Sequence, residues 1–461
     1  MSQRIPAQEP ITPFRDTRNV NSKQMLRRAW WILLLNFFIP GSAQVVAGNR
    51  RLGRIGIIFT FGFWAFLVLA ILFALVSKVA LFTILLTPWI AYPLAILFII
   101  YSALIVLLSL DAIRLMALAN VSRGAMRATL AFTVVLTSVA AFLTGTIGST
   151  TLTATSFMGH IFSNSGSLES NKGRYNILLL GGDSGSDRFG LRPDSISVLS
   201  ISTETGNAVN IGLPRNLQRI RFLPGTPISK VYPYGFDHYC GGDCMLNAVY
   251  KATIDNYSYL YPDAHKHGST SGIEATKSAV QWVTGLKIDA YVLINMRSFA
   301  GLVDALGGID VNVKKALPIG GQQDCLPANN EHGSYCPDVT EWIEAGKQHM
   351  NGRTALWYAR SRHNTNDYDR MKRQREVENI ILKKIDLPTL LFKFGAVAGA
   401  SAKLVRSDIP SGSIPTLMDL AFKAKSKGLK SLQLTAPLID ASNPDFFLMR
   451  HKIAQKLRKF N

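Results

Sequence analysis

Between Trp30 and Ile147 the chain carries apolar runs too long for an ordinary water-soluble fold, and this constrains everything around them. At 1.5 Å of rise per residue, a helix of about 20 apolar residues crosses the ~30 Å hydrocarbon core of a bilayer. Ile55–Val76 and Thr129–Ile147 meet that length, and Ala80–Leu110 exceeds it, with Pro88 and Pro93 as places to bend or tilt. Trp30–Ala47 is apolar but broken by Pro40-Gly41, so residues 30–47 read as a re-entrant or interfacial hairpin within a membrane region of residues 29–148. Residues 1–28 are polar and basic and read as a disordered tail, without a cleavable signal peptide. Arg15, Arg18, Lys23, Arg27 and Arg28 before the first span, Arg50, Arg51 and Arg54, and Arg114, Arg123 and Arg127 all fall on one side if three segments cross. Loops rich in Arg and Lys stay in the cytoplasm. The expectation is a multi-pass protein of the cell membrane, with everything after about residue 150 outside.

The remainder reads as a different kind of chain. Residues 149–173 are rich in Ser, Thr and Gly and read as a linker. Residues 174–387 form an α/β pattern, with strands at Tyr175–Leu180, Ile196–Ile201, Ala208–Leu213 and Tyr291–Ile294 and helices at Met245–Asn256, Gly272–Thr284, Met296–Leu306 and Arg370–Ile385. The expected fold is a mixed central sheet covered by helices, preceded by an all-α membrane anchor. Residues 318–343 read as an irregular, disulfide-closed insertion, and residues 388–461 as a C-terminal extension of mixed character. All four cysteines, Cys240, Cys244, Cys325 and Cys336, lie in this outer part, which suggests disulfides in an oxidising compartment. Nearest-neighbour pairing is one of three connectivities, and a zinc site is the rival reading. The net charge of +20 would suit nucleic acid. However, part of it reports membrane topology, and an outer domain has no nucleic acid to meet. The rest suits a polyanionic surface such as a membrane or a cell-wall polymer.

The densest chemistry lies between Arg360 and Arg375, where Arg360, Arg362, Arg370, Lys372, Arg373 and Arg375 surround Asp367 and Asp369. If Tyr358–Arg362 is extended, Arg360 and Arg362 share a face. From Arg370 the pattern turns helical: Arg370, Gln374, Val377, Ile381 and Ile385 form one stripe, with Lys372, Arg375, Asn379 and Lys383 on the wet side. A solvated face accounts for Lys372 and Arg375. It does not account for Arg370, because a guanidinium heading an inward stripe needs an anionic partner such as phosphate or carboxylate. Three other segments could meet it at strand ends. Gly181-Gly182-Asp183 ends one strand, Arg192-Pro193-Asp194 begins the next, and Pro214-Arg215-Asn216 follows a third. Asp183 and Asp194 would be near enough to share a cation, and hard carboxylate oxygens suit Mg²⁺ or Mn²⁺. Five guanidinium groups against two carboxylates would fit a pyrophosphate.

These segments, in this order, together with Leu302-Val-Asp-Ala-Leu-Gly-Gly-Ile-Asp-Val311, resemble the LytR–CpsA–Psr family over roughly residues 174–387. The resemblance implies a membrane-anchored phosphotransferase. It would move a glycopolymer phosphate from a polyprenyl-pyrophosphate glycolipid to a hydroxyl of peptidoglycan, commonly the muramic acid 6-hydroxyl. It implies Asp183 and Asp194 as metal ligands, Arg192, Arg215, Arg360 and Arg362 at the reacting pyrophosphate, and Arg370, Arg373 and Gln374 in substrate binding. The chain departs from the family pattern at Asn216, where the family usually has Asp, and in having more than one span. Candidate liners of a lipid-binding core are Trp282, Val283, Phe299, Leu302, Val303 and Leu306, for each of which ordinary core packing is the competing account. Two rival functions use the same residues: a polyprenyl-pyrophosphate phosphatase with water as acceptor, and a non-catalytic polyanion-binding or regulatory membrane protein.

Overall fold

The structure is a computed structural model that describes residues 21–77, 81, 84, 87–117, 121–161, 166–183, 192–237, 244–320, 326–327, 334–335, 339–361, 367–384 and 405–460. It divides into two compact units, Met1–Thr155 and Ser156–Asn461.

The first unit is all helix: α1 (Ser22–Phe38), α2 (Ser42–Ala47), α3 (Arg50–Val76), α4 (Pro88–Leu115) and α5 (Arg123–Ile161). Three of these, Arg50–Val76, Pro88–Leu115 and the Arg123–Thr153 part of α5, are long and apolar enough to cross a membrane. Their burial is inverted relative to a soluble protein. Leu75, Val76 and Trp89 are 78%, 86% and 89% exposed, whereas Asn36 Nδ2 donates to Ser109 Oγ at 3.0 Å and Gln44 Nε2 to the Leu108 carbonyl at 2.7 Å in the interior. The broken hairpin takes the form of α1, a turn at Pro40-Gly41 and α2. Gly41 sits at φ +103°, and a Cβ there would lie 2.6 Å from the Gly53 carbonyl, so only glycine lets α2 close on α3.

Three boundaries in this unit differ from the sequence reading. The basic tail is helical from Ser22, because Asn21 and Gln24 form a capping box (Gln24 N–H to Asn21 Oδ1 2.9 Å, Asn21 N–H to Gln24 Oε1 3.3 Å). The second span begins at Pro88, where proline at a first helical position loses no intrahelical hydrogen bond. Residues 149–161 are helix and not linker. Thr150, Thr151, Thr153 and Thr155 hydroxyls all donate to carbonyls four residues back, which satisfies polar side chains inside a helix.

The second unit holds a six-stranded mixed sheet: β1 (Arg174–Asp183), β2 (Arg192–Ser202), β3 (Ala208–Leu213), β4 (Ala290–Asn295), β11 (Val405–Ser407) and β12 (Lys430–Gln433). Their order is β11-β4-β1-β2-β3-β12; β1 with β2, β2 with β3 and β4 with β11 are antiparallel, and β1 with β4 and β3 with β12 are parallel. One face packs Leu178, Leu180, Val198, Val209 and Ile211 against α6 (Ala248–Asn256) and α7 (Ser271–Thr284), with Val283 in the same core and Trp282 at its margin. A second core gathers Val303, Leu306, Ile309, Val311, Tyr358, Val377 and Ile381, with Phe299 and Leu302 against it. It joins α8 (Met296–Ala305), β5 (Ile309–Val313), α9 (Gly352–Arg360) and α10 (Asp367–Lys384). The proposed lipid liners are therefore packed in, or against, two separate cores.

The described parts of residues 317–350 form short ladders, where an irregular insertion was expected. β6 (Leu317–Gly320) pairs antiparallel with β9 (Val339–Ile343), β7 (Leu326–Pro327) with β8 (Ser334–Tyr335), and β10 (Gly346–Met350) with β5. Cys244 is disulfide-bonded; Cys240, Cys325 and Cys336 lie outside the described residues, as do 385–404 within the C-terminal extension. That extension supplies both edge strands, together with α11 (Ile414–Lys427) and α12 (Phe446–Lys459).

Candidate functional site

The site grows out of strand register. β2 and β3 run antiparallel with Ile196 opposite Leu213. Two residues beyond each, Asp194 and Arg215 fall opposite one another at the same end of the sheet, and Arg215 Nη1 donates to Asp194 Oδ1 at 2.6 Å. β1 brings its C-terminus to that end, with Asp183 opposite Arg192. Between the pairs Gly181–Ser195 and Gly182–Pro193, one residue of β2 has no opposite number, and that residue is Asp194. A bulge bends the strand and re-aims the extra side chain; Pro193 beside it lacks the N–H that a regular ladder would need.

The fourth contributor is the start of α10. Arg370 is 3% exposed, and its Nη1 lies 3.8 Å from Asp194 Oδ2. Thus the two oxygens of one carboxylate face two guanidinium groups, one from a strand end and one from a helix. Gln374, one turn on, is half-buried on the same stripe as Val377 and Ile381, as its spacing predicted. Asn216, next to Arg215, has its Oδ1 buried without a hydrogen-bond partner.

Other expected residues are placed differently. Arg360 ends a helix, not a strand: Asn351 caps α9 by accepting from Thr354 N–H at 2.9 Å, and Ala355, Tyr358 and Ala359 form its buried face. This corrects the extended reading of Tyr358–Arg362. Arg360 is exposed, with its guanidinium 5.5 Å from the centre of the Trp357 ring. Arg362 and the side chain of Asp183 lie outside the described residues. Arg373 donates through Nε to the Tyr358 carbonyl at 2.9 Å and through Nη2 to the Ser361 carbonyl. These are the free carbonyls at the end of α9, so the described contacts make Arg373 a cap that ties α9 to α10. Burial lowers its pKa, and burial beside Glu376 raises that of the Tyr358 phenol, whose hydroxyl donates to Glu376 at 2.9 Å.

Arg375 is the clearest correction. Expected on the wet face, it is 6% exposed and lies across β2 and β3. Its Nη1 donates to Ser195 Oγ at 3.0 Å and Glu378 at 2.5 Å, and its Nη2 to the Ile196 carbonyl and, at 3.4 Å, the Leu213 carbonyl. Glu378 in turn accepts from Ser197 Oγ at 2.6 Å and Asn210 Nδ2 at 3.1 Å. Room for the guanidinium comes from Gly212: a Cβ there would lie 2.7 Å from Arg375 Nε and collide with Gln433. The signal was present in the strands. Ser195, Ser197, Asn210 and Gly212 recur at every second position, a polar stripe on one sheet face that an Arg and a Glu three apart on a helix can satisfy.

Among the described residues, no group of three or more His, Cys, Asp or Glu could hold a metal ion. Of the two carboxylates expected to hold a cation, the side chain of Asp194 is described and that of Asp183 is not. Asp194 Oδ1 is engaged by Arg215, which leaves Oδ2 facing Arg370.

The chain has a mixed α/β domain with Asp194, Arg215 and Arg370 gathered at one end of its sheet. The family comparison narrows this further. The LytR_cpsA_psr family pattern matches residues 148–460, and the chain belongs to that family. Similar proteins include biofilm regulatory protein A of Streptococcus mutans, 30% identical over 268 residues, which cover 56% of this chain and 56% of that protein. They also include the polyisoprenyl-teichoic acid–peptidoglycan teichoic acid transferase TagU of Halalkalibacterium halodurans, 25% identical over 263 residues, covering 57% and 69% respectively. The chain thus spans about half to two thirds of these relatives' lengths. Among solved structures, TagV of B. subtilis aligns at 20% identity with a TM-score of 0.43, covering 63% of this chain and 98% of that one.

Proposed function

We propose that this protein is a membrane-anchored transferase that moves a glycopolymer phosphate from a polyprenyl-pyrophosphate glycolipid to a peptidoglycan hydroxyl. The observation that carries the reading is Asp194 set between Arg215 and Arg370 at the strand ends, inside a family whose named relatives include teichoic acid transferases. Arg192, Arg215, Arg360, Arg362 and Arg370 hold the pyrophosphate oxygens, and Gln374 stands beside Arg370 to contact the substrate. Bidentate forks suit phosphate better than point charges do. The acceptor oxygen bonds to the glycan-side phosphorus and the bridging P–O bond breaks. Polyprenyl phosphate leaves, and the acceptor's proton passes to solvent or a base. Phosphoryl transfer asks a protein mainly for positioning and charge stabilisation.

Asp183 and Asp194 would hold Mg²⁺ or Mn²⁺. Two hard carboxylates fit an ion that keeps several waters and bridges to substrate phosphates. When bound, the ion offsets charge that develops on the leaving phosphate. The three long apolar helices anchor the chain as a multi-pass protein with residues after about 150 outside, where paired cysteines are stable. The phosphatase reading differs only in the acceptor, water.

The test is release of polyprenyl phosphate from a glycan-linked pyrophosphate donor by the full chain in detergent, with and without a peptidoglycan acceptor. Acceptor-dependent release that is lost in Asp194→Asn supports the transferase. Acceptor-independent release identifies the phosphatase, and wild-type release by Asp194→Asn removes both.

A further inference from the structure

The positive charge of the second unit has two centres, and the site described above is only one. Residues 156–461 carry 37 Lys and Arg against 27 Asp and Glu, an excess of ten. Residues 360–384 hold eight against four, and residues 405–460 hold ten against four. Together these two stretches contain the whole excess, and the rest of the unit is balanced.

The second centre is assembled from three elements. α11 ends in Lys425 and Lys427, β12 opens with Lys430, and α12 ends in Lys456, Arg458 and Lys459. The Lys430 and Lys456 ammonium groups lie 5.7 and 5.0 Å from the centre of one ring, Phe460, so β12 and the last turn of α12 share a surface. α12 contains no acidic residue. Its apolar stripe, Met449, Ile453 and Leu457, is used against the core. Arg450 is used as well: its guanidinium stacks 4.8 Å from Trp282 and donates to the Trp282 carbonyl. Arg458 and Lys459 are exposed, and Lys452 and Lys456 are half-buried beside the stripe. Cations in a last turn complement the helix dipole. That explains why Arg458 and Lys459 are tolerated there, but not why Lys452 and Lys430 join them without acids.

We propose that this surface docks a flexible, phosphate-bearing polymer chain, at a place separate from the pyrophosphate position beside Asp194. Charges distributed over a strand edge and a helix face match a chain with a repeating negative charge, which needs no apolar insertion. A lipid surface is the poorer match. The apolar stripe of α12 is committed to the core, and Phe447, 81% exposed, is the large apolar side chain α12 leaves to solvent. Identifying the polymer with the donor's own glycan rests on the transferase reading, whereas binding is measured without turnover.

The test uses the full chain in detergent and labelled inorganic polyphosphate as probe, titrated at several salt concentrations. The variant carries Lys452→Gln, Arg458→Gln and Lys459→Gln, and the control carries Lys266→Gln, Lys315→Gln and Lys347→Gln, the same charge removed elsewhere. The first should bind about tenfold more weakly, and the slope of log affinity against log salt should fall by about two, at ~0.7 per cation lost. The control should bind within twofold of wild type, and release of polyprenyl phosphate from a short-chain donor should be unchanged in both. Equal affinity of variant and wild type, or an equal loss in the control, overturns the proposal. So does a loss seen only with vesicles of anionic lipid, which would make this a membrane face. If polyphosphate binding responds as expected while no form of the protein releases polyprenyl phosphate, the docking surface stands and the transferase reading falls.

Discussion

Helix α10 presents arginines to two different regions, and the contrast separates structural charge from chemical charge. Over the sheet, the Nη1 and Nη2 donors of Arg375 go to two backbone carbonyls, one serine hydroxyl and Glu378. At the strand ends, Arg370 reaches Asp194 only at 3.8 Å, and that carboxylate is shared with Arg215. Both guanidinium groups are buried. A buried cation held by carbonyls, a hydroxyl and a carboxylate of the sheet and its own helix stabilises the fold. Arg370, beside Asp194 at the strand ends, stands where the proposed pyrophosphate would lie.

The largest effect should come from Arg375→Ala. It leaves the half-buried Glu378 without its cation, which costs about 3 kcal/mol, read as a shift in the denaturant midpoint of the second unit. Arg375→Lys should recover only part of this, because an ammonium cannot reach two strands and a carboxylate together. Gly212→Ala should act in the same direction by displacing the guanidinium. If Arg375→Ala folds with wild-type stability, the division between the two regions is wrong.

Next in size, Arg370→Lys and Asp194→Asn should each reduce polyprenyl phosphate release about 10²–10³-fold. Their unfolding midpoints should move far less than that of Arg375→Ala. A loss of activity explained entirely by unfolding would merge the two regions into one structural network.

Arg373→Ala sharpens the boundary between them. It uncovers the Tyr358 and Ser361 carbonyls at the end of α9 and should cost about 1–3 kcal/mol. If the activity of the folded fraction also falls, the cap on α9 sets the position of Arg360. By contrast, Lys372→Ala, on the exposed side of the same helix, should stay within about 0.5 kcal/mol and leave turnover unchanged.

The smallest effect concerns a carboxylate without an arginine. Asp289 Oδ2 accepts from the Asn176 N–H at 2.8 Å, and its Oδ1 is buried without a partner. Burial raises its pKa, opposed by that N–H and by Lys287. The folded state therefore keeps a proton that the unfolded chain has released, so stability is lost as pH rises through the window just above the ordinary Asp pKa. Asp289→Asn should raise the thermal midpoint slightly at pH 7 and make no difference near pH 3. The opposite sign would mean that charge at Asp289 is favourable, and that a buried carboxylate here does not need a guanidinium.

Much of this was legible in the residues. Apolar run length specified three membrane-length helices, because length and composition are local to each segment. Ala208–Leu213 was read to the residue and the stripe Arg370, Gln374, Val377, Ile381 to the face, since both repeats are local geometry. The set Asp194, Arg215 and Arg370 was legible as a group because strand ends and helix starts are where chain-distant residues meet. Other features depended on partners far away in sequence. Residues 149–161 are rich in Ser and Thr yet helical, because the Thr150, Thr151, Thr153 and Thr155 hydroxyls find carbonyls one turn back. The strands of residues 317–350 are short and pair across a long excursion, so no single one carries a full period. Arg375 looks solvated on its own helix, and it is Gly212, Ser195 and two carbonyls of a sheet more than 160 residues earlier that turn it inward. Sequence by itself determined which segments are long and apolar enough to cross a membrane and which side chains gather at the strand ends. That Arg375 lies across the sheet while Arg370 stands at the strand ends was decided by tertiary structure, because where a guanidinium goes depends on which acceptors distant strands bring within its reach.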